Sequence, residues 1–187
     1  MRLMREGFRW TPLPMKLNNG SFYRCATKGN ERMAAEIDNQ FPNFSLKNQD
    51  GKNVSLEDFA GKWLVLYVYP KDDTPGCTIQ GKSFTATKDD FDAAGIAVVG
   101  VSEDDVDSHK NFCNKFSFTI DLLADPKHDL LQAAGVGQSE YKGVLYWDRT
   151  SFVIDPKGVL RKTYLKVSPQ GHEQVLLNDI KQMQSES

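Results

Sequence analysis

WLVLYVYPKDDTPGC, residues 63–77, decides the fold of this 187-residue chain. Residues 63–69 are all apolar or aromatic, which is typical of a strand buried on both faces of a sheet. From Cys77 to about Asp92, apolar residues recur at helical spacing and predict an amphipathic helix. One thiol therefore lies where a strand passes into a helix. Unpaired amides and the helix dipole at such a point favour the thiolate, which is the nucleophilic form.

The remaining sequence predicts an α/β domain with a thioredoxin-like fold, in which helices flank a central mixed β-sheet. The predicted elements are a hairpin of Phe44–Lys47 and Lys52–Leu56, a short helix from Ser55 to Phe59, a strand Ile96–Val101, a helix Ser102–Phe116, a strand Ile120–Leu123, a helix Lys127–Ala134, a hairpin of Thr150–Ile154 and Val159–Tyr164, and a helix Gly171–Gln184. Right-handed crossovers would place Cys77 at the carboxyl end of a central strand, where such sheets usually carry function.

Composition narrows the class of protein. The chain is 40% hydrophobic and 26% charged, and its length suits one α/β domain with a full core. A net charge of −2 gives no general attraction to nucleic acid or to an anionic membrane. No apolar run is long enough to predict a transmembrane helix. Three cysteines without dense spacing argue against a disulfide scaffold, so we expect a reducing compartment such as the cytoplasm.

The N-terminal segment differs from the rest of the chain. Residues 1–32 carry seven Lys or Arg against two acidic residues, without the apolar stretch of a secretory signal. We expect residues 1–36 to be an extension, disordered or a leader, before a domain of residues 37–187. An organellar transit peptide and a translation start at Met33 are the alternatives. Cys25 lies in this extension and is expected to be inert or adventitiously reactive.

Pro70, Thr74 and Cys77 form the pattern Pro-x-x-x-Thr-x-x-Cys, which resembles the active-site signature of the peroxiredoxins. The surrounding YVYPKDDTPGCT resembles the peroxiredoxin Q or bacterioferritin comigratory protein branch. PNFSLKNQDGKNVSLEDFAGK, IAVVGVSEDD and DRTSFVIDPKG also occur in the order expected for this branch. The resemblance implies a thiol-dependent peroxidase that reduces hydrogen peroxide and alkyl hydroperoxides. It also implies thioredoxin as the reductant, with glutaredoxin as the alternative donor, and no cofactor.

The motif residues suit peroxide chemistry. Cys77 would be the peroxidatic nucleophile, which attacks one peroxide oxygen and becomes a sulfenic acid. Amides near Gly76 and Cys77 can orient the peroxide, and the Thr74 hydroxyl can both donate and accept a hydrogen bond. Pro70 removes a backbone donor and helps to shape a partly shielded pocket. The alternative for Cys77 is a buried structural cysteine.

Arg149 is predicted to hold the thiolate and a developing oxyanion, because a guanidinium stays charged and has several fixed donors. In the peroxiredoxin resemblance, an arginine at this place reaches the thiolate. The alternative is a surface arginine that pairs with Asp148. Phe84 and Trp147 are predicted to be apolar walls of the peroxide site, with ordinary core packing as the alternative.

Cys113 is predicted to be the resolving cysteine. Many relatives in this branch carry that cysteine five residues after the peroxidatic one, where this chain has Lys82. Some relatives carry it on the next helix, which here contains Cys113, so an intramolecular Cys77–Cys113 disulfide in a monomer is expected. Two cysteines can bond only when their Cα atoms come within about 7 Å, so the first turn after Cys77 should unwind. The alternative is a one-cysteine peroxidase or a peroxide sensor in which Cys113 is structural.

The histidines suggest no metal site. His109, His128 and His172 are scattered, and the chain lacks Cys-x-x-Cys and His-x-x-x-His spacing. We expect these three side chains to lie at the surface or at helix caps.

Overall fold

The computed structural model describes residues 34–186. The predicted extension up to residue 33, together with Cys25, lies outside the described residues. The described elements are, in chain order, β1 (Ser45–Asn48), β2 (Asn53–Ser55), a 3-10 helix (Leu56–Phe59), β3 (Trp63–Val68), α1 (Pro75–Ala86), α2 (Lys88–Ala93), β4 (Ile96–Ser102), α3 (Val106–Phe116), β5 (Asp121–Ala124), α4 (Asp129–Ala133), β6 (Gln138–Tyr141), β7 (Val144–Trp147), β8 (Thr150–Ile154), β9 (Leu160–Tyr164) and α5 (His172–Ser185).

Within residues 34–186, seven strands form a mixed sheet in the order β2-β1-β5-β4-β3-β8-β9. The central strand β3 runs parallel to β4 and antiparallel to β8. Every residue of β3 is buried, as the sequence predicts for a strand covered on both faces. This arrangement confirms the predicted thioredoxin-like α/β fold. The helices cover both faces, and α1 begins beyond the carboxyl end of β3.

Alternate side chains of β3 enter two different cores. The Leu66 core includes, among others, Leu64, Leu66, Val68, Val99, Val101, Leu123, Leu131, Trp147, Phe152 and Ile154. The Tyr67 core includes, among others, Val65, Tyr67, Tyr69, Cys77, Phe84, Phe91, Phe112, Cys113, Val153, Leu176 and Ile180. Burying one large apolar side chain stabilises the fold by about 1.5–3 kcal/mol, so both faces contribute. Cys77 and Cys113 belong to the same core.

The helix predicted from Cys77 to Asp92 is two helices. Thr87 separates α1 from α2 with φ −102° and ψ 7°, and its Oγ1 donates to the carbonyl of Ser83 at 2.9 Å. A threonine side chain that bonds its own helix backbone competes with the regular ladder. Phe84 of α1 and Phe91 of α2 are buried in the same core, so both apolar residues face inward despite the break at Thr87.

The helix predicted to begin at Ser102 begins later. β4 continues through Ser102, which pairs with Ala124 of β5. Asp105 is the N-cap, and its side chain accepts from the amide of Ser108 at 2.8 Å. An aspartate at that position satisfies one of the amides that a helix leaves without a partner.

Two hairpins complete the description. The predicted β8–β9 hairpin is confirmed, and Asp155 closes its turn by accepting from the amides of Lys157 and Val159. The β6–β7 hairpin is separate from the main sheet and was not predicted. Among residues 34–186, no helix combines the length and the hydropathy that crossing a membrane would require.

Candidate active site

Cys77 is the third residue of α1, which begins in the loop that follows β3. Thr74 is the N-cap in extended conformation, and the amide of Thr78 makes a helical bond to the Thr74 carbonyl at 2.9 Å. The amides of Gly76 and Cys77 lie before that bond, in the turn whose N–H groups have no acceptor within the helix. Such a turn attracts an anion and can donate to a bound oxygen.

Thr74 and Pro70 frame the loop before the nucleophile. The Thr74 hydroxyl donates to the carbonyl of Lys71 at 3.1 Å, which leaves its oxygen lone pairs for a second partner. Pro70 is half-buried directly after the last buried residue of the β3 run. Both residues therefore lie on the short path between β3 and Cys77.

Arg149 reaches the sulfur of Cys77, which is 2% exposed. Its Nη2 donates to Cys77 Sγ at 3.4 Å, and its Nη1 donates to Gln80 Oε1 at 2.6 Å. A Cβ atom on Gly76 would lie 3.2 Å from Nη2, so the absence of a side chain lets the guanidinium lie close to α1. Arg149 thus lies at the thiol, whereas Asp148 bonds Ser139 instead. One guanidinium is fixed against the candidate nucleophile.

Gln80 is a site residue that the sequence analysis missed. It is 1% exposed, its Oε1 holds Arg149, and its Nε2 is buried with no partner among residues 34–186. It lies three residues after Cys77 and four before Phe84, so it shares their helix face. That spacing was the available signal, because a polar residue on an otherwise buried face usually has a specific partner.

Phe84 and Trp147, the two residues predicted to wall the peroxide site, lie in different cores. Phe84 is fully buried in the Tyr67 core with Cys77 and stacks on Tyr67, with ring centroids 4.5 Å apart. Trp147 packs in the Leu66 core, on the opposite face of the sheet, and its Nε1 donates to Glu103 at 3.1 Å. The structure therefore places Phe84, but not Trp147, in the same core as Cys77.

Cys113 lies on α3, is 7% exposed, and shares the Tyr67 core with Cys77. Neither cysteine is in a disulfide. Burial raises the pKa of the Cys113 thiol to about 12, with the Asp72 carboxylate as the next cause. Burial also raises the pKa of the Tyr67 phenol well above 10. The charges of Cys113 and Cys77 are the next largest causes of this increase. Both sulfurs are therefore close enough to the same phenol to influence its charge.

The end of α3 packs against the middle of α1. A Cβ atom on Gly81 would lie 2.5 Å from Cζ of Phe118, so the ring fits there only because glycine has no side chain. Lys82 lies over the ring of Phe116, with Nζ 5.0 Å from the centroid. The amide of Thr119 donates to Thr85 Oγ1 at 3.4 Å. These contacts join α1 to the segment that follows Cys113.

His109 and His172 are buried, so the expectation that they lie at the surface or at caps is wrong for both. His109 is 0% exposed, and its Nδ1 bonds Asp72 Oδ2 at 2.8 Å. His172 is 7% exposed, its Nε2 bonds Ser151 Oγ at 3.0 Å, and burial lowers its pKa to about 4. His128 is at the N-cap position of α4, as expected, and pairs with Glu103 at 3.2 Å.

A metal centre is not indicated in the part of the chain that the structure describes. No group of three or more His, Cys, Asp or Glu side chains there is arranged to hold an ion. The arrangement of Cys77, Arg149 and the amides of α1 instead suits a reaction in which a thiolate attacks and negative charge develops on oxygen.

Comparison with known proteins connects this arrangement to a family. The model of the AhpC/TSA family matches residues 37–163. Peroxiredoxin Bcp of Bacillus subtilis is 36% identical over 157 residues, which cover 81% of this chain and 98% of that protein. The chloroplastic peroxiredoxin Q of Triticum aestivum is 45% identical over 123 residues, covering 66% and 56% respectively.

A solved structure is similar as well. The bacterioferritin comigratory protein of Xanthomonas campestris has a TM-score of 0.71 and 36% identity to this chain. The match covers 75% of this chain and 91% of that one. That structure was described as a trapped intermediate and ligand complex that bears on alkyl peroxide reduction.

Proposed function

This chain belongs to the AhpC/TSA family and is a peroxiredoxin of the Bcp and peroxiredoxin Q type, and from that premise we propose the residues that perform its peroxidase reaction. Cys77 is the peroxidatic nucleophile, and Arg149, the amides of Gly76 and Cys77, and Thr74 stabilise the reacting oxygens. The observation that carries the proposal is the Arg149 Nη2 contact with Cys77 Sγ at 3.4 Å.

In the first step, the Cys77 thiolate attacks one peroxide oxygen and the O–O bond breaks. The departing hydroxide or alkoxide takes up a proton and leaves as water or alcohol, while Cys77 becomes a sulfenic acid. Negative charge moves from sulfur to the departing oxygen during this step. A guanidinium that Gln80 already holds in place can stabilise both ends of that movement without reorganising.

In the second step, the Cys113 sulfur attacks the Cys77 sulfur. The S–O bond breaks, the hydroxyl leaves as water, and a Cys77–Cys113 disulfide forms. An external dithiol then reduces the disulfide by thiol–disulfide exchange. Both cysteines begin buried in one core, so the first turn of α1 and the end of α3 must open locally for the bond to close.

The expected surroundings follow from an intramolecular disulfide. Family members use peroxide substrates and thiol reductants, and we propose thioredoxin as the dithiol, with glutaredoxin as the alternative donor. A monomer suffices, because both thiols come from one chain. A reducing compartment such as the cytoplasm would supply the reductant, or an organelle if the N-terminal residues are a transit peptide.

In a second candidate function, Cys77 still reduces peroxide, but Cys113 has no resolving role. Burial and a pKa of about 12 favour a protonated, inert Cys113 thiol in the folded protein. In that case the chain is a one-cysteine peroxidase, or a peroxide sensor whose Cys77 sulfenic acid is read by another molecule.

Peroxide-dependent NADPH consumption, measured with thioredoxin and thioredoxin reductase, tests the proposal. Cys77→Ser should abolish turnover, and Cys113→Ser should consume one equivalent of peroxide and then stop. Cys25→Ser is the matched control and should turn over normally. Substantial turnover by Cys77→Ser would overturn the proposed nucleophile, and normal cycling by Cys113→Ser would favour the one-cysteine candidate.

A further inference from the structure

Asp72 and His109 form a buried pair that the two steps above leave unused. Asp72 lies in the loop between β3 and α1, and His109 lies on α3. His109 Nδ1 is 2.8 Å from Asp72 Oδ2, with Asp72 8% and His109 0% exposed. Tyr69 and Ser108 also donate to this carboxylate, at 2.7 and 2.8 Å. The pair thus joins the loop before Cys77 to the helix that carries Cys113.

The contacts of Asp72 fix which nitrogen of His109 carries a proton. A carboxylate only accepts hydrogen bonds, so the Nδ1 atom at 2.8 Å must donate to it. In the neutral ring, Nε2 is then an acceptor with an unshared electron pair. This Nε2 is buried and has no hydrogen-bond partner among residues 34–186. A buried imidazole nitrogen with an unused lone pair is suited to take a proton.

Cys113 is the buried thiol one turn further along α3, and in the reduced protein His109 Nε2 makes no hydrogen bond to it. It follows His109 by four residues on α3, and residues four apart share one helix face. Both side chains are buried, at 0% for His109 and 7% for Cys113. Asp72 is also near enough to Cys113 to raise its pKa. The Asp72–His109 pair and the Cys113 thiol therefore lie on the same side of α3, one turn apart.

We propose that His109, oriented by Asp72, is the proton acceptor for Cys113 when Cys113 attacks the oxidised Cys77. The Cys113 S–H bond breaks, its proton moves to His109 Nε2, and its electron pair forms the bond to Cys77 sulfur. The Cys77 S–O bond breaks, and the departing hydroxyl takes the proton to leave as water. Atoms and electrons balance without an added oxidant or reductant. The inference rests on the proposed resolving role of Cys113.

The resolving step needs such a group. Burial raises the pKa of the Cys113 thiol to about 12, so in the closed structure this thiol is protonated at pH 7. After burial and the Asp72 charge, the charges of Asp121 in β5 and Asp50 in the β1–β2 turn raise the Cys113 pKa further. A base within the same buried cluster removes the need for a free thiolate, because the proton leaves as the S–S bond forms.

The pair also borders a cavity with charged residues at its rim. A cavity of about 190 Å³ is lined by Asp72 and Ser108 and, at its rim, by Lys71, Asp73 and Lys115. Through Asp72, which is 8% exposed, the pair borders this cavity, although His109 itself does not line it.

Asp104 and Tyr69 surround the Asp72–His109 pair. Asp104 accepts from the amide of Asp72 at 2.9 Å and from Ser102 at 2.7 Å. Burial, with the Asp72 charge, raises the pKa of the Tyr69 phenol well above 10, so this phenol remains a donor.

The His109→Asn variant distinguishes a role of His109 as a proton acceptor from a purely structural role. The asparagine amide can replace the Nδ1 donor to Asp72, but it cannot accept a proton at neutral pH. Wild type and variant are oxidised with one equivalent of hydrogen peroxide, and sulfenic acid formation and disulfide formation are followed separately. We expect His109→Asn to oxidise at the wild-type rate and to form the disulfide about 10²-fold more slowly at pH 7. His128→Asn is the matched control and should change neither rate.

The pH profile gives a second, independent readout. In wild type, the rate of disulfide formation should depend only weakly on pH between 7 and 9, because the Cys113 proton has an acceptor within the protein, whereas in His109→Asn the rate should keep rising through pH 9. The same rate and profile in both proteins would overturn the inference. If His109→Asn does not fold, His109→Gln replaces it, since its amide likewise cannot accept a proton at neutral pH and it should give the same slow step. Loss of the disulfide in Cys113→Ser tests the resolving role separately, so the two failures are distinguishable.

Discussion

Replacing Arg149 with methionine should slow the reaction of Cys77 with peroxide by about 10²-fold. Methionine has a similar length and removes both the charge and the donors. The variant should fold, because the backbone carbonyl of Arg149 still accepts from Val167 at 3.1 Å. Gln80 would lose the guanidinium that its Oε1 now accepts from. The rate defect should therefore arise at the reacting sulfur and the developing oxyanion, together with a stability loss of about 1–3 kcal/mol for leaving the buried Gln80 amide unpaired.

The size of the effect follows from the geometry. Two unit charges about 4 Å apart, at an effective dielectric constant of about 20, interact by about 4 kcal/mol. The guanidinium lies 3.4 Å from Cys77 Sγ, but Arg149 is only half-buried, so solvent screens part of that energy. Loss of one preorganised donor in an enzyme typically costs about 10²–10³-fold in rate. The lower end of that range is expected here.

The assay is competition for hydrogen peroxide against horseradish peroxidase, which isolates the oxidation of Cys77 from its reduction. Arg161→Met is the matched control, because Arg161 pairs with Asp155 and Asp38 instead of Cys77. Arg149→Lys keeps the charge but not the fork that bonds two partners, so its rate should be intermediate. A rate for Arg149→Met within about threefold of wild type would refute the reasoning.

Three further predictions concern positioning and stability. Gln80→Leu should lower the peroxide rate about tenfold in the same competition assay, because Arg149 loses the acceptor that orients it. Gly81→Ala should lower the free energy of unfolding in urea by about 1–3 kcal/mol, since its Cβ would overlap Phe118. In a Phe118→Ala background the same change should instead stabilise α1 by up to about 1 kcal/mol. Burial lowers the pKa of His172 from 6.5 to about 4, so the unfolded state binds more protons between these values and stability falls as pH falls through that window. His172→Gln should remove about 3 kcal/mol of that pH dependence, measured by urea unfolding at pH 7 and pH 4.

The core strand, the β8–β9 hairpin and the C-terminal helix could be predicted because their side chains alternate or recur with the spacing of the element. The β6–β7 hairpin could not. Its Tyr141, Val144 and Leu145 are 66%, 49% and 60% exposed, so it lacks the buried face that produces a periodic pattern. Ser102 was placed in a helix because serine followed by acidic residues also caps helices, and only pairing with β5 keeps it in a strand.

The site was predictable in part for similar reasons. The motif around Cys77 specifies the nucleophile, and the resemblance implied that Arg149 reaches it. Gln80 was missed, and His109 was expected at the surface or at a cap, because one sequence does not show which polar side chains are buried. A glutamine on a helix is usually solvated, and here it is 1% exposed and bonded to Arg149. Trp147 lies beside Arg149 in sequence, but its side chain enters the opposite core.

The most direct test of the central claim is the intact mass of the reduced protein after one equivalent of hydrogen peroxide, followed by peptide mapping. We predict the loss of two hydrogens and a peptide in which Cys77 is joined to Cys113. An unchanged mass, or oxygen added at residues other than Cys77, would contradict the proposed nucleophile, and oxygen retained on Cys77 without a disulfide would contradict the resolving role of Cys113.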